Sequence, residues 1–351
     1  MRYENPRRNK PGVPRLFCTE PDRPLAMLQL CPAYQPTPLR AMPALAADLG
    51  IGALRVKDET RRMRLGSFKA LGGVYAIAQM IEDASGTSDL DSAQARKLAA
   101  GMTFITASAG NHGLSVAAGA RIFGARGVIV LSSSVPEGFA ERIRKTGAQV
   151  VRVDGSYEDS VQYAIDAAEQ NGWQLLADGS WEGYTAPPAL IMEGYTVLAE
   201  ECRHEIAQSG DWPTHVLVQA GVGGLAAAMA AHIRDHWATQ PQIIIVEPEA
   251  APCLLKSAKA GKMTRAEGPE SNMGRLDCKD ASLIAFEALR HDADLFVTVS
   301  DEDAQAAARL YEHHGIQTTP SGAAPLAALQ QLNLGHTARC LLIATEGPET
   351  A

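Results

Sequence analysis

The sequence predicts an α/β protein with two lobes, each a mostly parallel sheet covered by helices. Three observations carry this. Short β-branched runs recur along nearly the whole chain and are apolar on both faces, the pattern of strands buried between helical layers. Alanine-rich stretches separate them, and strands alternating with helices build parallel sheets. At 351 residues, with 46% hydrophobic and 21% charged residues, the chain is long enough for two hydrophobic cores.

In chain order, the first expected strand is ALRVKDE (53–59). An apolar helix follows through SFKALGGVYAIAQMI, with Ser67 as its N-cap. The polar, aperiodic EDASGTSDLDSAQARK (82–97) is expected to be a connection between lobes. MTFITAS (102–108), RGVIVLSS (126–133) and AQVVRVDG (148–155) are the next strands, interleaved with the helical LSVAAGARIFG, GFAERIRKTG and YEDSVQYAIDAAEQNG. THVLVQAG (214–221), QIIIVEPE (242–249), LFVTVSD (295–301) and CLLIATEG (340–347) complete the strands, with LAAAMAAHIRDHW and DEDAQAAARLYEHHG as helices among them.

Composition excludes several function classes. A formal net charge of -8 gives no electrostatic footprint for nucleic acid or an anionic membrane. The six cysteines (Cys18, Cys31, Cys202, Cys253, Cys278, Cys340) form no CxxC pair and do not cluster with histidine. That spacing predicts reduced thiols in a cytoplasmic protein and no metal site. The N-terminal MRYENPRRNKPGVPRL is polar and proline-rich, so no secretory signal is expected. The longest apolar run, LVQAGVGGLAAAMAAHI, is interrupted by Gln219 and glycines and reads as strand, turn and helix rather than a membrane span.

Chemistry concentrates at one lysine and three strand-to-helix junctions, the places where open α/β sheets bind ligands. Lys69 falls in the first turn of its apolar helix, where the helix dipole opposes a cation and should lower its pKa. A lysine of depressed pKa can form a Schiff base; the alternative is a lysine that snorkels to water past Phe68. SAGNHGLS (108–115) offers backbone N–H groups at a helix start, together with Asn111 and His112, a setting for a carboxylate or phosphate, or simply a turn. QAGVGGLAAA (219–228) has the glycines of a phosphate cradle. It could equally be a dinucleotide fingerprint with Glu247 as the ribose acid, although its spacing is GxGG rather than GxGxxG. TTPSGAAPLAAL (318–329) starts another helix, with Ser321 as its expected cap.

PTPL, VKDET, SFKALGG, SAGNHG, QAGVGG and PSGA occur together and in this order. In this the chain resembles the pyridoxal phosphate enzymes of fold type II, the tryptophan synthase β-like group, from residue 36 to residue 349. Within that group, DGSWEGYTAPPALIMEGY (178–195), VEPEAAPC (246–253), MGRLDC (273–278) and ATEGPET most resemble the diaminopropionate ammonia-lyase family.

The resemblance implies a pyridoxal 5'-phosphate enzyme performing α,β-elimination on a β-substituted L-amino acid. Diaminopropionate is the first substrate implied, and a hydroxy amino acid dehydratase or a cysteine synthase-like β-replacement enzyme the alternative. It implies that residues 1–85 and 168–351 form a large cofactor-binding domain, that residues 86–167 form a small mobile domain, and that the enzyme is a homodimer. Lys69 is then the Schiff-base lysine, Phe68 packs beside the pyridine ring, and Asn111 meets the ring hydroxyl. Gly221, Val222, Gly223, Gly224 and Leu225 cradle the phosphate, and Ser321 faces the pyridine nitrogen. Ser108, Ala109, Gly110, His112 and Gly113 hold the substrate, and Asp178 is a catalytic base alongside Lys69. The family carries an aspartate where this chain has Ala109, a residue associated with D-enantiomers, so an L-substrate is expected. Arg275 and Lys279 add charge near the entrance; Arg275 would clamp an acidic group on the substrate, or both belong to a solvated loop.

Overall fold

The computed structural model describes residues 1–8, 14–108, 110–133 and 135–348. Its strands are β1 Arg2–Glu4, β2 Leu39–Ala41, β3 Ala53–Asp58, β4 Thr103–Ala107, β5 Arg126–Ser132, β6 Gln149–Val153, β7 Gln174–Leu175, β8 His215–Gln219, β9 Gln242–Pro248, β10 Leu295–Val299 and β11 Arg339–Ala344. Its α-helices are α1 Asp22–Gln29, α2 Pro43–Asp48, α3 Lys69–Ser85, α4 Ala93–Gly101, α5 Asn111–Phe123, α6 Glu137–Lys145, α7 Tyr157–Asn171, α8 Ala186–Ser209, α9 Gly224–His236, α10 Cys253–Ala260, α11 Leu283–Asp292, α12 Asp301–His313 and α13 Pro320–Leu332.

The strands form a seven-stranded sheet, β1-β10-β9-β8-β11-β3-β2, and a four-stranded sheet, β6-β5-β4-β7. Only the edge strands β1 and β2 run antiparallel in the first, and the second is parallel throughout. Central registers pair Leu341 with both Arg55 and Val216. Ile243 to Val246 on β9 are all buried, which is why that strand shows no polar alternation. β7 pairs with β4, so the four-stranded sheet runs past residue 167.

Where the structure departs from expectation, local sequence was overruled by pairing or capping. β1, β2 and β7 are strands the sequence did not suggest, each only two or three residues long. The segment 82–97 is not a uniform connection: α3 runs to Ser85, and α4 starts at Ala93 behind a Ser92 hydroxyl that accepts from Ala95 N–H.

Glycines let α3 sit unusually close to its neighbours. A Cβ on Gly72 would lie 2.5 Å from the Tyr195 ring, and one on Gly194 would lie 2.7 Å from the Leu71 carbonyl oxygen. The pair therefore sets the α3–α8 separation by backbone contact. Gly73 leaves room for the Ser115 side chain on α5, whose hydroxyl donates to the Lys69 carbonyl at 2.7 Å.

The turn feeding α3 is pinned by buried charges. Arg62, wholly buried, donates to both Glu59 oxygens at 2.7 Å and to both Glu201 oxygens at 2.8 and 2.7 Å. Lys57 reaches Glu201 at 2.6 Å. This network holds Met63 and Arg64 at φ 48° and 60°, left-handed conformations costing roughly 1–2 kcal/mol each. Downstream, Phe68 N–H donates to Thr345 O, and Ser67 bridges to Glu346. Lys69 is thereby fixed at the end of β11.

Candidate active site

The C-terminal ends of β4, β8 and β11 converge on a cavity of about 1600 Å³. Phe68, Lys69, Ser108, Gly110, Asn111, His112, Asp178, the Gly221–Leu225 loop and Arg275 all line it. Gly113 and Ser321 do not. Gly113 lies inside α5, where a Cβ would press on Ile129 and the Ser108 carbonyl at 3.0 Å, so its smallness serves packing. Ser321 is buried behind the wall and accepts from Arg275 N–H at 3.2 Å. Ala109 lies outside the described residues.

Lys69 opens α3, and its ammonium forms an ion pair with Asp178, each side chain 22% exposed. Ser67 is not the cap: Phe68 holds that position, with no side-chain cap bond. The expected lowering of the Lys69 pKa is also reversed. Burial pulls it down, but the charge and hydrogen bond of Asp178 outweigh that and hold it above 10.5. Asp178 shows the converse: burial would raise its pKa, and Lys69 drives it below the ordinary 3.8. Nζ lies 5.3 Å from the Phe68 ring centroid and 5.9 Å from that of Tyr195, and those rings meet edge-on at 4.9 Å.

The segment carrying Asp178 is braced at both ends. Tyr184 donates to Leu175 O at 2.9 Å and accepts from Ala177 N–H at 3.1 Å. Ser180 shares a 2.6 Å hydroxyl bond with Ser282, whose own N–H reaches Val222 O in the glycine loop. Ser180 also accepts from Ile284 N–H, capping α11 from outside the helix.

The glycine loop fits a phosphate. Gly223, at φ +101°, caps α9, and a Cβ on Gly224 would meet nothing nearer than 3.7 Å. The first turn of that helix, with its unpaired N–H groups and positive dipole end, therefore opens on the cavity. The dinucleotide reading does not fit, because Glu247 is wholly buried and its two oxygens accept from Leu254 and Leu255 N–H at 2.7 and 2.8 Å. Glu247 does not reach the cavity that the glycine loop lines.

Sequence reasoning missed Glu346. This buried carboxyl accepts from Asn111 Nδ2 at 2.6 Å and Thr319 Oγ1 at 2.7 Å, with Arg275 Nε at 4.0 Å. Burial raises its pKa against the opposing pull of Arg275. It aims Asn111 into the cavity. Ser321 is not the cap of α13 either: Thr319 is, accepting from Gly322 N–H. The Ser321 hydroxyl accepts from the Arg275 amide and keeps its own proton to donate. His112 Nε2 bonds Leu176 O at 2.7 Å, while buried Nδ1 has no partner among the described residues. Burial lowers the His112 pKa, so the imidazole is neutral. Arg275 reaches over Gly110, where a Cβ would lie 3.0 Å from Nη1. Lys279 is committed to structure: it donates to Ala250 O, Pro269 O and Asp277.

An amine among aromatic rings and an anion cradle at a helix start, both on one cavity, fit pyridoxal phosphate. Comparison with known proteins agrees. The chain is 35% identical over 337 residues to diaminopropionate ammonia-lyase of Escherichia coli K12, covering 90% of this chain and 85% of that protein. A biosynthetic L-threonine dehydratase of Mycobacterium bovis is 25% identical over 328 residues, 90% of this chain and 69% of that one. The crystal structure of the Escherichia coli ammonia-lyase with an aminoacrylate-PLP azomethine intermediate superposes with a TM-score of 0.89 at 32% identity, covering 99% of this chain and 93% of that chain. The pattern of the pyridoxal-phosphate dependent enzymes spans residues 30–346, and the chain belongs to that family as a two-lobed lyase of fold type II.

Proposed function

We propose that this lyase eliminates the β-substituent from an L-amino acid, with L-2,3-diaminopropionate as substrate and ammonia and pyruvate as products. The observation that carries the reading is the Lys69–Asp178 pair in a cavity that also holds the glycine loop. Bound pyridoxal phosphate supplies the electron sink that makes a Cα proton removable. Lys69 holds the aldehyde carbon, Gly221–Leu225 the phosphate, Asn111 the ring hydroxyl and Ser321 the ring nitrogen. Phe68 packs beside the ring. The α-carboxylate rests on the loop from Ser108 through Gly110 and His112 at the start of α5. Asp178, a carboxylate across the neutral range, takes the Cα proton or passes it to Lys69. The residue-86–167 region closes over the substrate and excludes water.

Arg275 above Gly110 favours a second reading, a dehydratase of an acidic hydroxy amino acid, because a guanidinium there suits a second carboxylate. The free thiols among the described residues support a cytoplasmic setting, and the family resemblance supports a homodimer. No helix among the described residues is long and apolar enough to cross a membrane. Replacing Lys69 by alanine should abolish both covalent cofactor attachment and 2-oxo acid release. Turnover in that variant without added amine would overturn the assignment.

A further inference from the structure

Elimination needs a proton for the departing group whenever that group leaves as an oxygen or a neutral amine. Three of the carboxylates lining the cavity are spoken for. Glu346 is held by Asn111 and Thr319, Asp277 by Lys279 and Ser271, and Asp178 by Lys69. The Tyr184 hydroxyl is committed to Leu175 and Ala177.

Tyr157 is different. It is the first residue of α7, yet the helix start needs nothing from it. The Ser156 hydroxyl accepts from Asp159 N–H, and the Asp159 carboxylate accepts from Ser156 N–H. The Tyr157 side chain lines the cavity and is 52% exposed. Its hydroxyl makes no hydrogen bond among the described residues. Burial nevertheless raises its pKa above 10, and Asp178 and Lys69 both act on it electrostatically. Tyr157, Lys69 and Asp178 all line this one cavity. The Arg265 guanidinium steadies that end of α7, reaching Glu158 at 3.5 Å while also pairing with Asp280 beside the Cys278 loop.

We propose that Tyr157 is the proton donor to the leaving β-substituent. The proposal rests on the elimination reading above. As the Cα proton goes to Asp178 or Lys69, the Cα–H electrons form the Cα=Cβ bond, and the Cβ–X pair departs with X. The Tyr157 O–H bond breaks as X–H forms, and solvent returns the proton to the phenolate. The raised pKa keeps Tyr157 an acid, never a base, at neutral pH.

The test compares leaving groups that do and do not need a proton. Chloride from β-chloro-L-alanine leaves unaided; hydroxide from L-serine does not. Tyr157→Phe should lose about 100-fold more kcat/KM on L-serine than on β-chloro-L-alanine, chiefly in kcat, with an unaltered cofactor spectrum. In the wild-type protein, L-serine turnover should slow more in D2O than chloride elimination does. Equal losses on both substrates, or a wild type that expels chloride but never hydroxide, would overturn the role of Tyr157. Failure of the wild type to release 2-oxo acid from β-chloro-L-alanine would instead overturn the elimination reading beneath it.

Discussion

Asp178→Asn should push two readouts in opposite directions. In the wild-type protein the ion pair keeps Lys69 protonated despite its burial, and an ammonium cannot attack an aldehyde. Two unit charges about 4 Å apart at an effective dielectric constant of about 20 interact by about 4 kcal/mol. With each side chain 22% exposed, screening trims this to about 3 kcal/mol, roughly a hundredfold in the protonation equilibrium. Asparagine removes that term and leaves the desolvation, so Lys69 loses its proton more readily. Mixing cofactor-free protein with pyridoxal phosphate and following the visible absorbance from pH 6.5 to 9 measures the consequence. The attachment rate should rise with pH in both proteins, with the curve for the variant displaced about two pH units lower. Elimination should meanwhile fall about 100-fold or more through loss of the base. An undisplaced attachment curve would refute the electrostatic account, and near-wild-type turnover would remove Asp178 from the base role. The pair also carries stability: its contribution holds across neutral pH, lost as pH falls through the lowered Asp178 value or rises through the raised Lys69 value.

Gly194→Ala should lower the thermal midpoint, because its Cβ would stand 2.7 Å from the Leu71 carbonyl oxygen; overpacking of this kind costs about 1–3 kcal/mol. Arg62→Met should cost about 3–5 kcal/mol in denaturant unfolding, since it strips buried Glu59 of its ion-pair partner and leaves Glu201 with Lys57. Burial raises the Glu247 pKa from 4.5 to about 8. The folded state therefore holds that proton more tightly than the unfolded chain, and stability declines by about 5 kcal/mol as pH rises through that window. Glu247→Gln should flatten the decline, which urea midpoints at pH 6 and pH 8.5 would show.

The interior strands were legible because each is apolar on both faces, and burial alone explains Ile243 to Val246. β1 and β7 were not, because a three-residue RYE and a two-residue QL become strands only by pairing with β10 and β4. At the site, Lys69 and the glycine loop were readable as chemistry. The sign of the Lys69 pKa shift was not, because it is set by Asp178, 109 residues away in sequence. The cap of α13 could have been read correctly: a proline favours the first helical position, which makes Thr319, just before Pro320, the cap rather than Ser321. Glu346 and Tyr157 gave no local sign. Glu346 acquires its role from residues on α5 and the loop before α13. Tyr157 looks like an ordinary helix start until the cavity in front of it is seen.

The central claim is elimination from a β-substituted L-amino acid, and the direct test is ammonia and 2-oxo acid release with pyridoxal phosphate present. The substrates are L- and D-2,3-diaminopropionate, L-serine, L-threonine and L-threo-3-hydroxyaspartate. The account predicts fast turnover of L-2,3-diaminopropionate and little of the D-form. Release of neither product from any of them would contradict it.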